Sequence, residues 1–216
     1  NESSTPGIKK NIDYLMNTKN WWGPLVFILI ISLAGVGLIG YQTYNDAPPM
    51  TGFSTEKGNI LIDKSTIERG QIVFHKYALM EYGSFFGDGA QRGPDFTAEA
   101  LHQINVSMNE FYRRKNEDSI GRPSTVTEQK IIAEQVREEL KKNLYDKEEN
   151  IVVLSEGYVY ALNELEDYYI KVFTETDANN KFPLKNYITD KKEIKDLAGF
   201  FFWGAWVCVT QRPGSS

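Results

Sequence analysis

The sequence predicts a mainly α protein: one N-terminal transmembrane helix, then an extracytoplasmic helical domain carrying a small β-hairpin. Three observations carry that prediction. Residues Trp21 to Tyr41 form an uncharged apolar run. Apolar residues then recur at helical spacing in five later segments, most of them opened by a capping residue. One short β-branched stretch, Ile151 to Val153, follows the charged turn DKEEN.

The apolar run reads WWGPLVFILIISLAGVGLIGY, and at ~1.5 Å per residue it spans roughly 30 Å, the thickness of a bilayer core. Trp21 and Trp22 at one end and Tyr41 and Tyr44 at the other suit the two interfacial belts. The run is too long for a signal peptide core, and no Ala-x-Ala site follows it. Lys9, Lys10 and Lys19 precede it and Asp46 is the first charge after it, which places the N-terminus in the cytoplasm. Gly35, Gly37 and Gly40 thin one region of the helix, where a neighbouring helix can approach. Pro48 and Pro49 then hold a linker extended. The division expected is a cytoplasmic segment 1–20, the span 21–44, a linker 45–58 and the domain 59–216.

Within that domain, Ser65 with Glu68 reads as a capping box, opening a helix that runs to about Tyr82 with Ile67, Gln71, Phe74, Tyr77 and Ala78 in register. Gly83, Gly87, Gly89 and Gly93 make a loop ending at Pro94. Thr97 to Tyr112 forms a second helix with Leu101, Ile104, Met108 and Phe111 inward, and Arg113 to Pro123 a polar connection. Thr125 and Glu128 cap a third, striped by Ile132, Val136, Leu140 and Leu144. Tyr145 to Leu154 is the hairpin, and Ser155 opens a fourth helix through Phe173. Asp190 and Glu193 cap the last, whose stretch Leu197 to Val209 is too short to span a bilayer; it closes the domain or lies on the membrane surface.

Composition narrows the function classes. With 41% hydrophobic and 25% charged residues the domain should fold, and a net charge of −5 argues against a nucleic-acid partner. A lone cysteine, Cys208, excludes an intrachain disulfide, Cys-based metal cages and covalent haem c, which takes two thioethers and an axial histidine. The chain opens at Asn1 rather than Met and closes on PGSS, as a fragment would.

No catalytic set can be assembled. The glycine loop fits neither phosphate-binding spacing. Asp88 and Asp95 flank it and are acceptors for calcium, but turn and cap roles suit them better. His75 and His102 read as structural histidines, Glu138, Glu139, Lys141 and Lys142 as a solvated helix face, and Ser65 and Ser155 as caps without a base. The aromatics Phe200 to Trp206 pack in a core in preference to lining a quinol channel or meeting lipid.

The order of a span, an APP linker, GQIVFHKYALMEYGSFFGDGAQRGPDFTAEALH, a YD hairpin and DLAGFFFWGAWVCVTQRPG resembles the N-terminal part of the quinol-dependent nitric oxide reductases, from about Trp21 to Ser216. In that family the segment is similar to the small cytochrome c subunit of the cytochrome-dependent reductases, fused ahead of the catalytic subunit, and the fold implied is cytochrome c-like. The small-subunit pattern KYxCxxCHxxxGxGAYxGPDLT lays onto Lys76 and Tyr77; its cysteines fall at Leu79 and Tyr82 and its haem histidine at Gly83. Gly87, Gly89, Gly93, Pro94 and Asp95 are kept, so the resemblance implies a haem scaffold without haem c. If the scaffold is intact, Cys, Cys and His at positions 79, 82 and 83 should leave room for the haem.

The resemblance implies reduction of two NO to N2O at a haem b3/non-haem iron pair fed through haem b by quinol. The ligands lie on a catalytic transmembrane bundle outside this chain, so no catalytic residue is carried over. It also implies one calcium contact, the backbone carbonyl of Gly89, with Gln91 where the family has a tyrosine. The partners implied are the catalytic bundle, membrane lipid and quinol, at a bacterial inner membrane with the domain in the periplasm. The alternative is a stand-alone, single-span, haem-free docking subunit. The apolar run Phe200 to Val209 argues for the fused chain, because a free module would have to cover it.

Overall fold

The computed structural model describes residues 22–45, 47–90, 93–174 and 186–211, in two units that divide after Pro48. The first unit is helix α1, Trp22–Asn45, with no buried residue and no charge. It is long and apolar enough to cross a membrane and suits an anchor with a domain following it. Trp21 and the lysines before it lie outside the described residues, as does Asp46.

The second unit is mostly helical, with a small sheet. Strands β1 (Gly52–Thr55) and β2 (Ile60–Ile62) lead into helix α2 (Lys64–Lys76) and a 3-10 turn at Leu79–Glu81. A two-stranded hairpin follows, β3 (Ser84–Phe85) and β4 (Asp88–Gly89), then helices α3 (Phe96–Ile120) and α4 (Val126–Lys141). Strands β5 (Tyr145–Asp146) and β6 (Ile151–Leu154) and helices α5 (Glu156–Thr174) and α6 (Lys191–Val209) complete it.

Several boundaries differ from the sequence reading, each for a local reason. Helix α2 starts two residues early because Asp63, not Ser65, is the N-cap: its Oδ1 accepts from the Thr66 amide at 2.6 Å, while the Ser65 hydroxyl donates to the same oxygen. It stops at Lys76, and Ala78 in the left-handed region (φ 48°) turns the chain. The segment Arg113–Pro123 is not a connection: α3 continues to Ile120, with Arg113 paired to Glu117 and Arg114 to Glu110 one turn apart, and Gly121 at φ 67° ends it. Leu101 and Phe111 are only half-buried; Phe96, Ala100, Ile104 and Met108 make the inner face.

The sequence reading places Gly52–Thr55 in the linker, yet it is a strand. The sheet runs β2-β1-β6-β5, with β1 parallel to β6 (Phe53 opposite Val152) and antiparallel to β2. The parallel pair is joined through α2, α3 and α4, a long-range pairing that no local pattern announces. The hairpin at Tyr145 to Leu154 is present, as are the capping box at Thr125 and Glu128 and the Asp190 cap. Glu193 instead accepts from Lys76 Nζ (2.6 Å) and Tyr77 OH (2.8 Å).

Helix α6 is the centre, packing on α2, α3 and α5. Ile194 and Leu197 to Trp206 are buried within the domain itself, so the aromatic run is core, not a membrane surface. Helix α2 approaches it at Gly70, where a β-carbon would lie 2.2 Å from the Asp196 carbonyl oxygen. At that crossing the Arg69 guanidinium donates to both Asp196 carboxylate oxygens at 3.0 Å.

Candidate functional site

The loop singled out in the sequence is a folded device. Ser84–Phe85 and Asp88–Gly89 pair antiparallel across a two-residue turn, Phe86 and Gly87, whose φ values are 55° and 78°. Positive φ at both positions is the type I′ requirement, met readily by Gly87 and unusually by a phenylalanine. Asp95 holds the turn closed while capping α3. Its Oδ2 accepts from the Ser84 hydroxyl and the Gly87 amide at 2.7 Å each, and its Oδ1 from the Ala98 amide at 2.9 Å. Thr97 Oγ1 accepts from the Phe86 amide at 3.0 Å. Burial pushes the Asp95 carboxyl up, but the donors from Ser84, Ala98 and Gly87 outweigh it and hold the group below its ordinary range.

Every backbone approach in the loop depends on a missing side chain. A β-carbon at Gly93 would lie 1.6 Å from the Tyr82 carbonyl oxygen, and one at Gly83 2.4 Å from that of Pro94. Gly89, at φ 135°, would press 2.5 Å against the Gly83 oxygen. Beneath the hairpin the Phe85 ring stacks on Phe200 at 4.3 Å and covers Gly204, where a β-carbon would meet that ring at 2.6 Å. Phe74 touches Phe85, Phe96, Phe200 and Phe201, and Phe96 stacks on Phe201 at 4.9 Å.

The three positions where the resembling pattern carries Cys, Cys and His are part of this packing. Leu79 is fully buried, Gly83 is wedged between Pro94 and the Phe96 ring, and Tyr82 stacks edge-on to Tyr187 at 5.5 Å. The expectation that a Cys-Cys-His variant leaves room for a haem is therefore wrong: an imidazole at position 83 meets backbone on one side and a core ring on the other.

Among the other candidates, Glu139 and Ser155 have structural duties. His75 and His102 are exposed. Glu139 is not simply solvated, since it accepts from Tyr112 OH at 2.8 Å and from the Ser155 hydroxyl, which also caps α5 by accepting from the Tyr158 amide. Burial, then the Glu139 bond, pushes the Tyr112 phenol up to about 12. Asp88 and Gly89 are exposed on the hairpin, and Gln91 lies outside the described residues. Among the described residues no three His, Cys, Asp or Glu side chains are grouped to hold a metal, and Asp95 is fully engaged by donors. Among the described residues no carboxylate cluster stands ready to complete a calcium site at Gly89. Sequence reasoning missed the turn role of Phe86 and the bond from its amide to Thr97; the Phe-Gly dipeptide was the available signal.

Comparison with protein families brings in the whole domain rather than the loop alone. The family model of the cytochrome c-like domain of NorB, a nitric oxide reductase subunit, matches residues 51–216. The chain belongs to this family. No curated protein matches it. Membership makes the chain part of an oxidoreductase, the nitric oxide reductase, and gives its helical domain a cytochrome c-like class. The match begins at Thr51, close to where the compact domain itself begins at Pro49. The NorB cytochrome c-like domain therefore takes in β2 and also β1, the strand that the linker assignment hid.

Proposed function

We propose that this chain is the N-terminal, non-catalytic region of a quinol-dependent nitric oxide reductase, reducing two NO to N2O and water with two electrons and two protons from a quinol. The observation that carries the reading is the NorB cytochrome c-like match combined with Leu79, Tyr82 and Gly83 at the positions for covalent haem. A relay domain whose haem positions are closed by Leu79 and Phe96 has no evident use for a soluble electron donor, whereas a membrane quinol can deliver electrons to the catalytic bundle directly. In the complete enzyme haem b, haem b3 and non-haem iron supply the redox chemistry from that bundle. The domain stands on the periplasmic side of a bacterial inner membrane, with the N-terminus cytoplasmic, and Gly89 offers its carbonyl to a calcium completed by the catalytic region.

The second reading, a stand-alone haem-free docking subunit, gains from one observation. The aromatic run in α6 is covered by the domain itself, so it no longer requires a fused partner. One experiment separates the two: optical spectra of the purified full-length gene product, oxidised and reduced, followed by NO consumption with a reduced quinol. Haem b bands without a c-type band, together with quinol-driven NO loss, support the reductase. A complete gene product without haem overturns it in favour of the docking subunit.

A further inference from the structure

We propose that Asp88–Gly89 is a self-modification site, where the Asp88 side chain closes on the Gly89 amide through a cyclic imide and reopens as isoaspartate. It is the one Asp-Gly step in the sequence. Glycine sets no side chain in the way of its own nitrogen, and both residues are exposed. Phe85 and Asp88 close the two-residue turn, so they are the hydrogen-bonded pair of the hairpin. Ser84 and Gly89 are the next pair, without ladder bonds, and the bond from the Ala90 amide to the Gly83 oxygen confirms the alternation. The Gly89 amide therefore faces away from β3. Among the described residues the Asp88 carboxylate has no hydrogen-bond or ion-pair partner, whereas Asp95 collects the donors of Ser84, Gly87 and Ala98.

Ring closure requires Asp88 to leave its extended conformation, so the reaction proceeds from an opened hairpin. Its strands are two residues each, its turn carries Phe86 at φ 55°, and the bonds from Phe86 to Thr97 and from Gly87 to Asp95 hold it shut. Once it opens, the Gly89 nitrogen attacks Asp88 Cγ. The N–Cγ bond forms, a Cγ–O bond breaks, and that oxygen leaves as water with the amide and carboxyl protons. Water then adds to one of the two imide carbonyls. Addition at Cγ restores aspartate. Addition at the former main-chain carbonyl breaks its bond to nitrogen and leaves the chain running through Cβ and Cγ. No oxidant and no co-reactant besides water enters. The added backbone carbon displaces Gly89 and Ala90, so the Ala90 amide cannot keep its bonds to the Met80 and Gly83 oxygens at 3.0 and 3.1 Å, and the hairpin cannot reclose in register. Asp118–Ser119 sets the contrast: it is exposed and also has a small following residue, but it lies within α3, where the Ser119 amide is a helical donor.

The test ages the full-length gene product, purified in detergent, at neutral pH and physiological temperature. Isoaspartate is located by electron-transfer fragmentation of the peptide spanning Asp88 and quantified by methyl transfer from S-adenosylmethionine with an isoaspartyl carboxyl methyltransferase. The expected result is isoaspartate accumulating at position 88 and not at position 118. Asp95→Asn, which loosens the Gly87 amide, should raise the rate at 88 several-fold, and Thr97→Ala, which removes only the acceptor for Phe86, should raise it less. Position 118 reports whether each variant keeps its fold, because unfolding frees the Ser119 amide as well. Aged wild-type protein without isoaspartate at 88 overturns the proposal, as does equal accumulation at 88 and 118. A rate at 88 that is unchanged in both variants overturns the control by the hairpin.

Discussion

Gly83 is where the haem-scaffold argument can be tested most sharply. A β-carbon there would lie 2.4 Å from the Pro94 oxygen and 2.7 Å from the Phe96 ring, about 1.0 and 0.7 Å inside the 3.4 Å at which ordinary contact begins. Neither neighbour can withdraw freely. The Pro94 oxygen accepts from the Ser84 amide at 2.9 Å, and Phe96 is 1% exposed and stacked on Phe201. Overpacking of this kind costs roughly 1–3 kcal/mol, and a rigid backbone acceptor puts Gly83→Ala near the upper end, about 3 kcal/mol. Loss of glycine freedom in the unfolded chain returns about 0.4–1 kcal/mol, leaving a net of roughly 2 kcal/mol. For a domain of this size that lowers the unfolding midpoint by roughly 4–8 °C. Thermal unfolding followed by tryptophan fluorescence in detergent measures it, with Ile131→Ala as an exposed control. A Gly83→Ala midpoint within about 1 °C of wild type would refute the packing argument. The same reasoning predicts that the Cys-Cys-His variant at positions 79, 82 and 83 fails to fold rather than binding haem.

Asp95→Asn should free the Gly87 amide and the Ser84 hydroxyl together, costing about 1–3 kcal/mol and raising hydrogen exchange at Gly87 more than at the α3 cap; unchanged exchange would show that the clamp is not carried by the charge. At position 86, Asn should leave the midpoint near wild type because Asn-Gly favours a type I′ turn, whereas β-branched Val should lower stability by about 1–2 kcal/mol; the reverse order would refute the strain. Asp63 is held down at about 2, from an ordinary 3.8, by bonds from the Thr66 hydroxyl, then Ser65 and the Thr66 amide. A depressed carboxyl stabilises above its unfolded value, so the cap's contribution is present above about pH 4 and is lost as pH falls toward 2. The stability gap between wild type and Asp63→Ala, about 1 kcal/mol at pH 6, should therefore close near pH 2.

What could be read from the sequence was whatever depends on neighbours in the chain. Thr125 with Glu128, Ser155 and Asp190 mark helix starts because a cap bonds an amide two or three residues on. Ile132, Val136 and Leu140 mark a buried face because a helix repeats. The failures lie where distant segments decide. Gly52–Thr55 pairs with β2 nearby, but it is locked into the sheet by Ile151–Leu154, a hundred residues later, which offers it a parallel edge. Glu139 looks solvated on its own helix and is engaged by Tyr112 and Ser155 from two others. The hairpin at Ser84–Gly89 escaped because its strands are two residues each and its turn puts a phenylalanine where asparagine or glycine is expected.

The glycines shared with the haem-bearing pattern bear on calcium as well. Gly89 and Gly93 invite the inference that they persist because a ligand approaches the backbone. The geometry supplies a different sufficient cause: Gly93 lies against the Tyr82 carbonyl and Gly89 against that of Gly83, with φ at 135°. Gly89→Ala would thus disrupt the hairpin whether or not its carbonyl meets a metal, and loss of function in that variant says nothing about calcium. The informative perturbation leaves the chain untouched. If the Gly89 carbonyl contributes to a calcium completed by the catalytic region, chelation should lower quinol-driven NO consumption, and calcium but not magnesium should restore it. Magnesium demands a tighter octahedron and holds its waters, so it is a poor substitute at a carbonyl site. The hairpin itself should not respond: Asp95, Thr97 and the loop glycines close it without metal, and exchange at Gly87 should be the same before and after chelation. Activity that survives chelation would remove Gly89 from any metal role.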